Sequence, residues 1–308
     1  MIDLPAVDFD LAATLNSGQV FHWEKIGDGF CGAIGDHAVY VEQRGKYLRV
    51  EFEGEAPRRH RKKGRFVSNS RTGSQELAPP SAAIIAHNYF ALDHPLNEIC
   101  ASFPRDTVMN AARDFCRGLR IIRQPKWECL ATFICSSMKQ VAHIRQISRA
   151  LREGFGEKKE IFGHEVYSFP PADRLGGTNE HELRKCGLGY RAKNLLATAK
   201  RVSLREVNLD SWSALPDDEL REQLRHLPGV GAKVANCVML FAYERIKAFP
   251  IDVWIERVLH EKYFPRKRKV TGASLAEFAT NYFGAHGGYA QQYLFHHARM
   301  TGKIRRRE

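Results

Sequence analysis

The chain has 308 residues, 44% of them apolar, which is enough for about two domains with real cores. Lysine and arginine outnumber aspartate and glutamate by 47 to 35, and the net charge of +12 attracts polyanions, nucleic acid before acidic membranes or proteins. No apolar run approaches the roughly 20 residues that span a bilayer, and the opening MIDLPAVDFDLAATL lacks the basic start and apolar core of a secretory signal.

From the N-terminus, FHWEKI, CGAIG, HAVYVEQ and KYLRVEFEG read as strands, short and rich in aromatic and β-branched residues between turn signals. Between residues 56 and 80 charge clusters at Arg58, Arg59, Arg61, Lys62, Lys63 and Arg65, followed by Ser/Gly/Thr and a double proline. This is the composition of a solvated loop or insertion. From Ala82 the apolar period becomes helical, through LDHPLNEICASF, DTVMNAARDFCRGL, KWECLATFICSSMKQVAHIRQISRALREGFG, GYRAKNLLATAKRV, PDDELREQLRHL and AKVANCVMLFAYE. A short extended piece interrupts near residues 160–169. The expected class is α+β, with an N-terminal antiparallel β-sheet domain over residues 1–80 and a mostly helical body over 81–308. The basic tail from Lys303 to Arg307 reads, like the insertion, as solvated charge. Seven scattered cysteines without a C-x-x-C pair argue against a disulfide framework or zinc site and fit a reducing intracellular compartment, the cytoplasm or nucleoid of a bacterium or the nucleus of a eukaryote. The last is Cys237, so no C-terminal four-cysteine run is present for an iron–sulfur cluster.

The most informative stretch is LRHLPGVGAKVANCVMLFAY. One helix should end at Pro228-Gly229 and another begin near Ala232, a helix–hairpin–helix over about 217–243. Gly229 and Gly231, flanking Val230, allow a sharp turn and close approach to a partner. The free N–H groups of the second helix can hold a phosphate without a basic side chain. Lys233 falls in that helix's first turn, where the positive dipole end disfavours a charged amine and so favours the neutral nucleophile. Asp252 follows 252 − 233 = 19 residues later in AFPIDVWIERV, where it should cap the next helix. One helix, a turn and a return fit that spacing and would bring a carboxylate to the amine. There it can stabilise a cationic sugar and help move protons.

The strings SGQVFHW, YFALDHPL, ECLATFICSS, GLGYRAK, LPGVGAKVANC, FPIDVW and YAQQYLF occur in this order. With them the chain resembles the helix–hairpin–helix DNA glycosylases, and within these the eukaryotic-type 8-oxoguanine DNA glycosylase/AP-lyases, from about Leu11 to Arg299. The resemblance implies a TATA-binding-protein-like sheet domain, two helical subdomains and a base pocket between them. It implies Lys233 as Schiff-base nucleophile and Asp252 as catalytic carboxylate. Gly18 matches the glycine whose carbonyl accepts the N7 hydrogen that 8-oxoguanine has and guanine lacks. Cys237 matches the cysteine packed on the flipped base, and Gln291 and Phe295 match the residues that bond and stack on it. Tyr190 matches the wedge that fills the vacated stack, and Arg191 the arginine that reads the orphaned cytosine. By themselves Gly18 reads as a turn glycine, Cys237 and Phe295 as core residues, and Tyr190 as an aromatic at a helix start.

Three positions depart from the family pattern. Met138 stands where animal members place asparagine, His143 where they place arginine, and Trp254 where they place a phosphate-contacting histidine. With two of three polar readers changed, the expected opposite-base preference is relaxed. The resemblance thus implies a monomeric enzyme on double-stranded DNA carrying oxidised purines, with no membrane and no metal or organic cofactor. The alternatives are a glycosylase for another damaged base and a non-enzymatic helix–hairpin–helix DNA-binding protein. The first has Lys233 and the missing four-cysteine run against it, and the second leaves Asp252, Gly18, Gln291 and Phe295 as coincidences.

Overall fold

A computed structural model describes residues 1–54, 81–137, 140–265 and 270–302. The basic insertion, Met138 and the basic tail lie outside the described residues. Strand β1 (Ile2–Pro5) and helix α1 (Leu11–Asn16) precede β2 (Glu24–Ile26), β3 (Gly29–Ile34), β4 (His37–Arg44) and β5 (Tyr47–Phe52). The five strands form one antiparallel sheet in the order β1-β5-β4-β3-β2. Four successive strands match the sequence reading. The fifth, β1, lies outside the strings read as strands and closes the far edge against β5, Ile2 opposite Val50. FHWEKI becomes strand only from Glu24, because Trp23 turns inward and donates its indole N–H to Tyr89 at 3.0 Å.

The helical body contains α2 (Ala82–Tyr89), α3 (Leu96–Ala101), α4 (Thr107–Phe115), α5 (Lys126–Cys135) and α6 (Val141–Phe155). A hairpin of β6 (Lys158–Ile161) and β7 (His164–Tyr167) supplies the expected extended interruption. After it come α7 (Ala172–Gly176), α8 (Glu180–Leu183), α9 (Arg191–Ser203), α10 (Asp217–Arg225), α11 (Ala232–Ala242), α12 (Val253–Val258), α13 (Gly272–Phe283) and α14 (Gly287–Thr301). The sheet's inner face (Leu4, Phe30, Val39, Val41, Leu48 and Val50) is covered by Ala86, Tyr89 and Phe90 of the α2 region and by Ile122. The packing unit around the sheet therefore continues past residue 80. The larger core is helical and centres on α5 and α11.

The stretch read as one helical run from Lys126 to Gly156 is broken. Helix α5 stops at Cys135, where the hydroxyl of Ser136 donates to the carbonyl of Phe133 at 2.7 Å and that of Ser137 to Ile134 at 3.5 Å. Serine hydroxyls compete in this way with the backbone ladder, and α6 restarts at Val141. A buried charge cluster ties the two helices to the β-domain. Arg152 of α6 donates to Glu128 of α5 and, at 2.9 Å, to the Tyr167 carbonyl, while His22 Nδ1 lies 3.3 Å from Glu128. Burial and the Arg152 charge push the His22 pKa well below its ordinary value. A cleft of about 700 Å³ lies beside this cluster between β3, α6 and β7 and is lined by none of the residues named above as candidate site residues.

Candidate active site

The hairpin forms as its sequence implies. Asp217, Asp218 and Glu219 sit in the first turn of α10, where negative charge meets the positive end of the helix dipole. The turn then requires glycine at Gly229, with φ +81° and a Cβ position only 2.8 Å from Asn194 Cβ of α9 and 3.2 Å from Ile134 of α5. Thr198 secures the turn by donating to the Pro228 carbonyl at 3.1 Å. Gly231, the N-cap of α11, is exposed, has no side-chain cap and has open space where a Cβ would stand. The leading N–H groups of α11 lack intrahelical acceptors. Val230 points the other way. Its side chain is buried in the helical core, so this position can meet DNA only through its backbone.

Lys233 emerges from the first turn of α11 over an aromatic platform. Its Nζ lies 5.0 Å from the centre of the Phe133 ring, which stacks in turn on Phe241. It donates to Ser136 Oγ at 3.0 Å. Cys237, one turn further along α11, is buried beside Lys233. Burial raises the thiol to about 11 despite Lys233, so it stays protonated and is no thiolate nucleophile. Asp252 caps α12 as its spacing predicts, accepting from the Ile255 N–H at 2.9 Å. Burial pushes its carboxyl above the ordinary value, and the Ile255 N–H and then the Lys233 charge oppose that shift. Amine and carboxylate thus approach each other from the starts of two successive helices, near enough for the Lys233 charge to act on Asp252. Trp254 is half-buried and Val253 exposed in the same first turn of α12.

The ends of the chain meet in a second group. Gly18 has φ +89°, and a Cβ there would stand 3.0 Å from Phe295 Cε1. Gln291, one turn before Phe295 on α14, is buried, and its Oε1 has no hydrogen-bond partner. A buried acceptor left unpaired costs on the order of 1–3 kcal/mol unless a ligand supplies the donor. The sequence reading missed two residues of the site, and one of them, Arg299, completes this group. Arg299 lies with its guanidinium carbon 5.5 Å from the Phe295 ring centre and donates to the Asn16 carbonyl. Its i, i+4 spacing from Phe295 was a signal for it. Ser136 was the other, and its seryl pair resembled ordinary helix interior.

On the opposite-strand side, Tyr190 is 59% exposed, as an intercalating wedge requires. Arg191 is not. It is buried beneath the Tyr190 ring, 4.4 Å from its centre, with its guanidinium bonded to the carbonyl of Ser137. Reading an orphaned base from this position requires the side chain to swing out. His143 is exposed in the first turn of α6. The end of α5 joins these parts, since Ile134 packs near Gly229, Ser136 holds Lys233 and Ser137 holds Arg191.

Comparison with known proteins bears on the fold and the family. Residues 1–130 match the family model for the N-terminal domain of 8-oxoguanine DNA glycosylase. Across 96% of its length the chain is 30% identical to the N-glycosylase/DNA lyase OGG1 of Arabidopsis thaliana, covering 78% of that protein. Among solved structures, MBOgg1 in complex with a low-affinity DNA ligand matches with a TM-score of 0.84 and 31% identity, over 98% of this chain and 96% of that one. The 8-oxoguanine glycosylase/lyase of Clostridium acetobutylicum, solved with double-stranded DNA containing cytosine opposite 8-oxoguanine, matches with a TM-score of 0.82 and 28% identity over 98% and 99%. With the hairpin, its lysine and the capping aspartate in one site, the chain belongs to the 8-oxoguanine DNA glycosylase family of N-glycosylase/DNA lyases.

Proposed function

We propose that the chain is a bifunctional glycosylase/AP-lyase that excises 8-oxoguanine from duplex DNA and then nicks the strand. The observation that carries this reading is the approach of Lys233 and Asp252 from the starts of α11 and α12. The exposed N-terminus of α11 offers N–H groups to a phosphate, and Tyr190 enters the duplex as the lesion leaves it. The base lies between Gly18, Cys237 and Phe295, and its Watson–Crick edge supplies the donor that Gln291 Oε1 lacks. Lys233, as the neutral amine, attacks C1′. The C1′–N9 bond breaks with its electrons going to the departing base, while Asp252 stabilises positive charge on the sugar. Ring opening leaves a protonated Schiff base. Loss of a C2′ proton then expels the 3′ phosphate by β-elimination.

The stowed Arg191, the exposed His143 and Met138 in place of asparagine support a relaxed preference for the opposite base. One copy carries every residue of the proposed site, which fits a monomer, and seven free thiols fit a reducing intracellular setting. Borohydride trapping on duplexes with 8-oxoguanine opposite C, A, G or T tests the reading. A covalent adduct should form with each, and Lys233→Gln should abolish it. No adduct would refute the lyase chemistry, and adduct formation opposite C alone would refute the relaxed preference.

A further inference from the structure

Lys233 is held from outside its own helix. Ser136 Oγ receives its Nζ at 3.0 Å, while the Ser136 hydroxyl hydrogen is donated to the Phe133 carbonyl at 2.7 Å. A hydroxyl has a single hydrogen and two acceptor lone pairs. With that hydrogen committed, Ser136 meets the amine only as an acceptor. When the amine is neutral it must turn one N–H toward Ser136, which directs its lone pair elsewhere. The face of the Phe133 ring, 5.0 Å away, repels a lone pair and favours N–H, so a second direction is closed. What remains faces away from α5. The acceptor itself is rigid, because Ser136 is buried, caps α5 and donates its backbone N–H to Phe133 at 3.1 Å.

We propose that Ser136 is a positioning residue for the nucleophile, fixing the rotation of the Lys233 amine so that its lone pair points to the pocket. This rests on the reading of Lys233 as the attacking amine. Misalignment of an attacking atom by about 1 Å can cost on the order of 10²-fold in rate. With the Phe133 platform retained, loss of the single orienting bond should cost roughly ten-fold. Binding should be untouched, since Ser136 lies beneath the amine and only 5% of it is exposed.

The test uses the full chain in single-turnover borohydride trapping on an 8-oxoguanine·C duplex, with Ser136→Ala, Ser136→Cys and Ser136→Thr. Alanine and cysteine should slow adduct formation about ten-fold with lesion-DNA Kd held within about two-fold, and threonine should recover most of the rate. Cysteine fills the site but accepts poorly, so the cysteine–threonine contrast decides the matter even where alanine lowers stability. Wild-type rates in Ser136→Ala, or equal rates in the cysteine and threonine variants, would overturn the role of Ser136 alone. No adduct from the wild-type chain would overturn the nucleophile reading and this proposal with it.

Discussion

Replacing each hairpin glycine by alanine should separate what the turn needs to fold from what it needs to bind. At Gly229 the backbone is left-handed, φ +81°, and a Cβ would stand 2.8 Å from Asn194 Cβ. The left-handed conformation costs a residue with a Cβ about 1–2 kcal/mol, and forcing a methyl into a packed site about 1–3 kcal/mol more. Gly229→Ala should therefore lose about 2–5 kcal/mol, seen as a thermal midpoint several degrees lower. Gly231 has φ −89° and open space around the Cβ position. There alanine is a poorer N-cap than glycine by up to about 1 kcal/mol. It also restricts the unfolded chain, a stabilising effect of about 0.4–1 kcal/mol. The two nearly cancel. Yet Gly231 lies where a phosphate would approach, so Gly231→Ala should weaken binding while the midpoint stays put. No cation is removed, and the slope of log K against log salt should not change. Thermal unfolding and fluorescence anisotropy over a salt series measure both. Equal destabilisation by the two variants, or a reduced salt slope for Gly231→Ala, would refute the reasoning.

Three further predictions follow from buried polar groups. Burial raises the Asp252 carboxyl above its ordinary value, so its protonated form favours the folded state at low pH, and that stability is lost as pH rises through the folded-state pKa. Asp252→Asn should thus gain in thermal midpoint over wild type as pH rises from the acid range to neutrality, while excision falls on the order of 10²–10³-fold. A midpoint difference that does not vary with pH would contradict this. Glu128→Ala strands Arg152 without its carboxylate and should cost about 3–5 kcal/mol, measured by thermal unfolding. A loss below about 1 kcal/mol would mean that water reaches the cluster. Gln291→Met removes an unpartnered buried acceptor and should raise the midpoint while abolishing lesion excision. A lowered midpoint would show that Oε1 is paired in the free protein.

Much of this site was legible because its signals are local. Gly229 is required by its own φ, Asp252 caps the helix that follows it, and Lys233 and Cys237 share a helix face through i, i+4 spacing. Backbone geometry and helix periodicity act over a few residues, so the string itself determined the hairpin, the capping aspartate and the succession of strands β2 to β5. Tertiary structure alone decided what depends on packing between distant segments. It set Phe295 against Gly18 from the other end of the chain, and it recruited β1 and α2 to the sheet. It folded Arg191 beneath Tyr190, where the Ser137 carbonyl competes with any DNA base. The apolar period runs through Ser136 and Ser137 without a visible stop. Only the packing of α5 against α9 and α11 gives the broken end its partners, Lys233 on one side and Arg191 on the other. A hydrogen bond between residues far apart in sequence leaves no period to read, because its energy is realised only once the chain has closed around it.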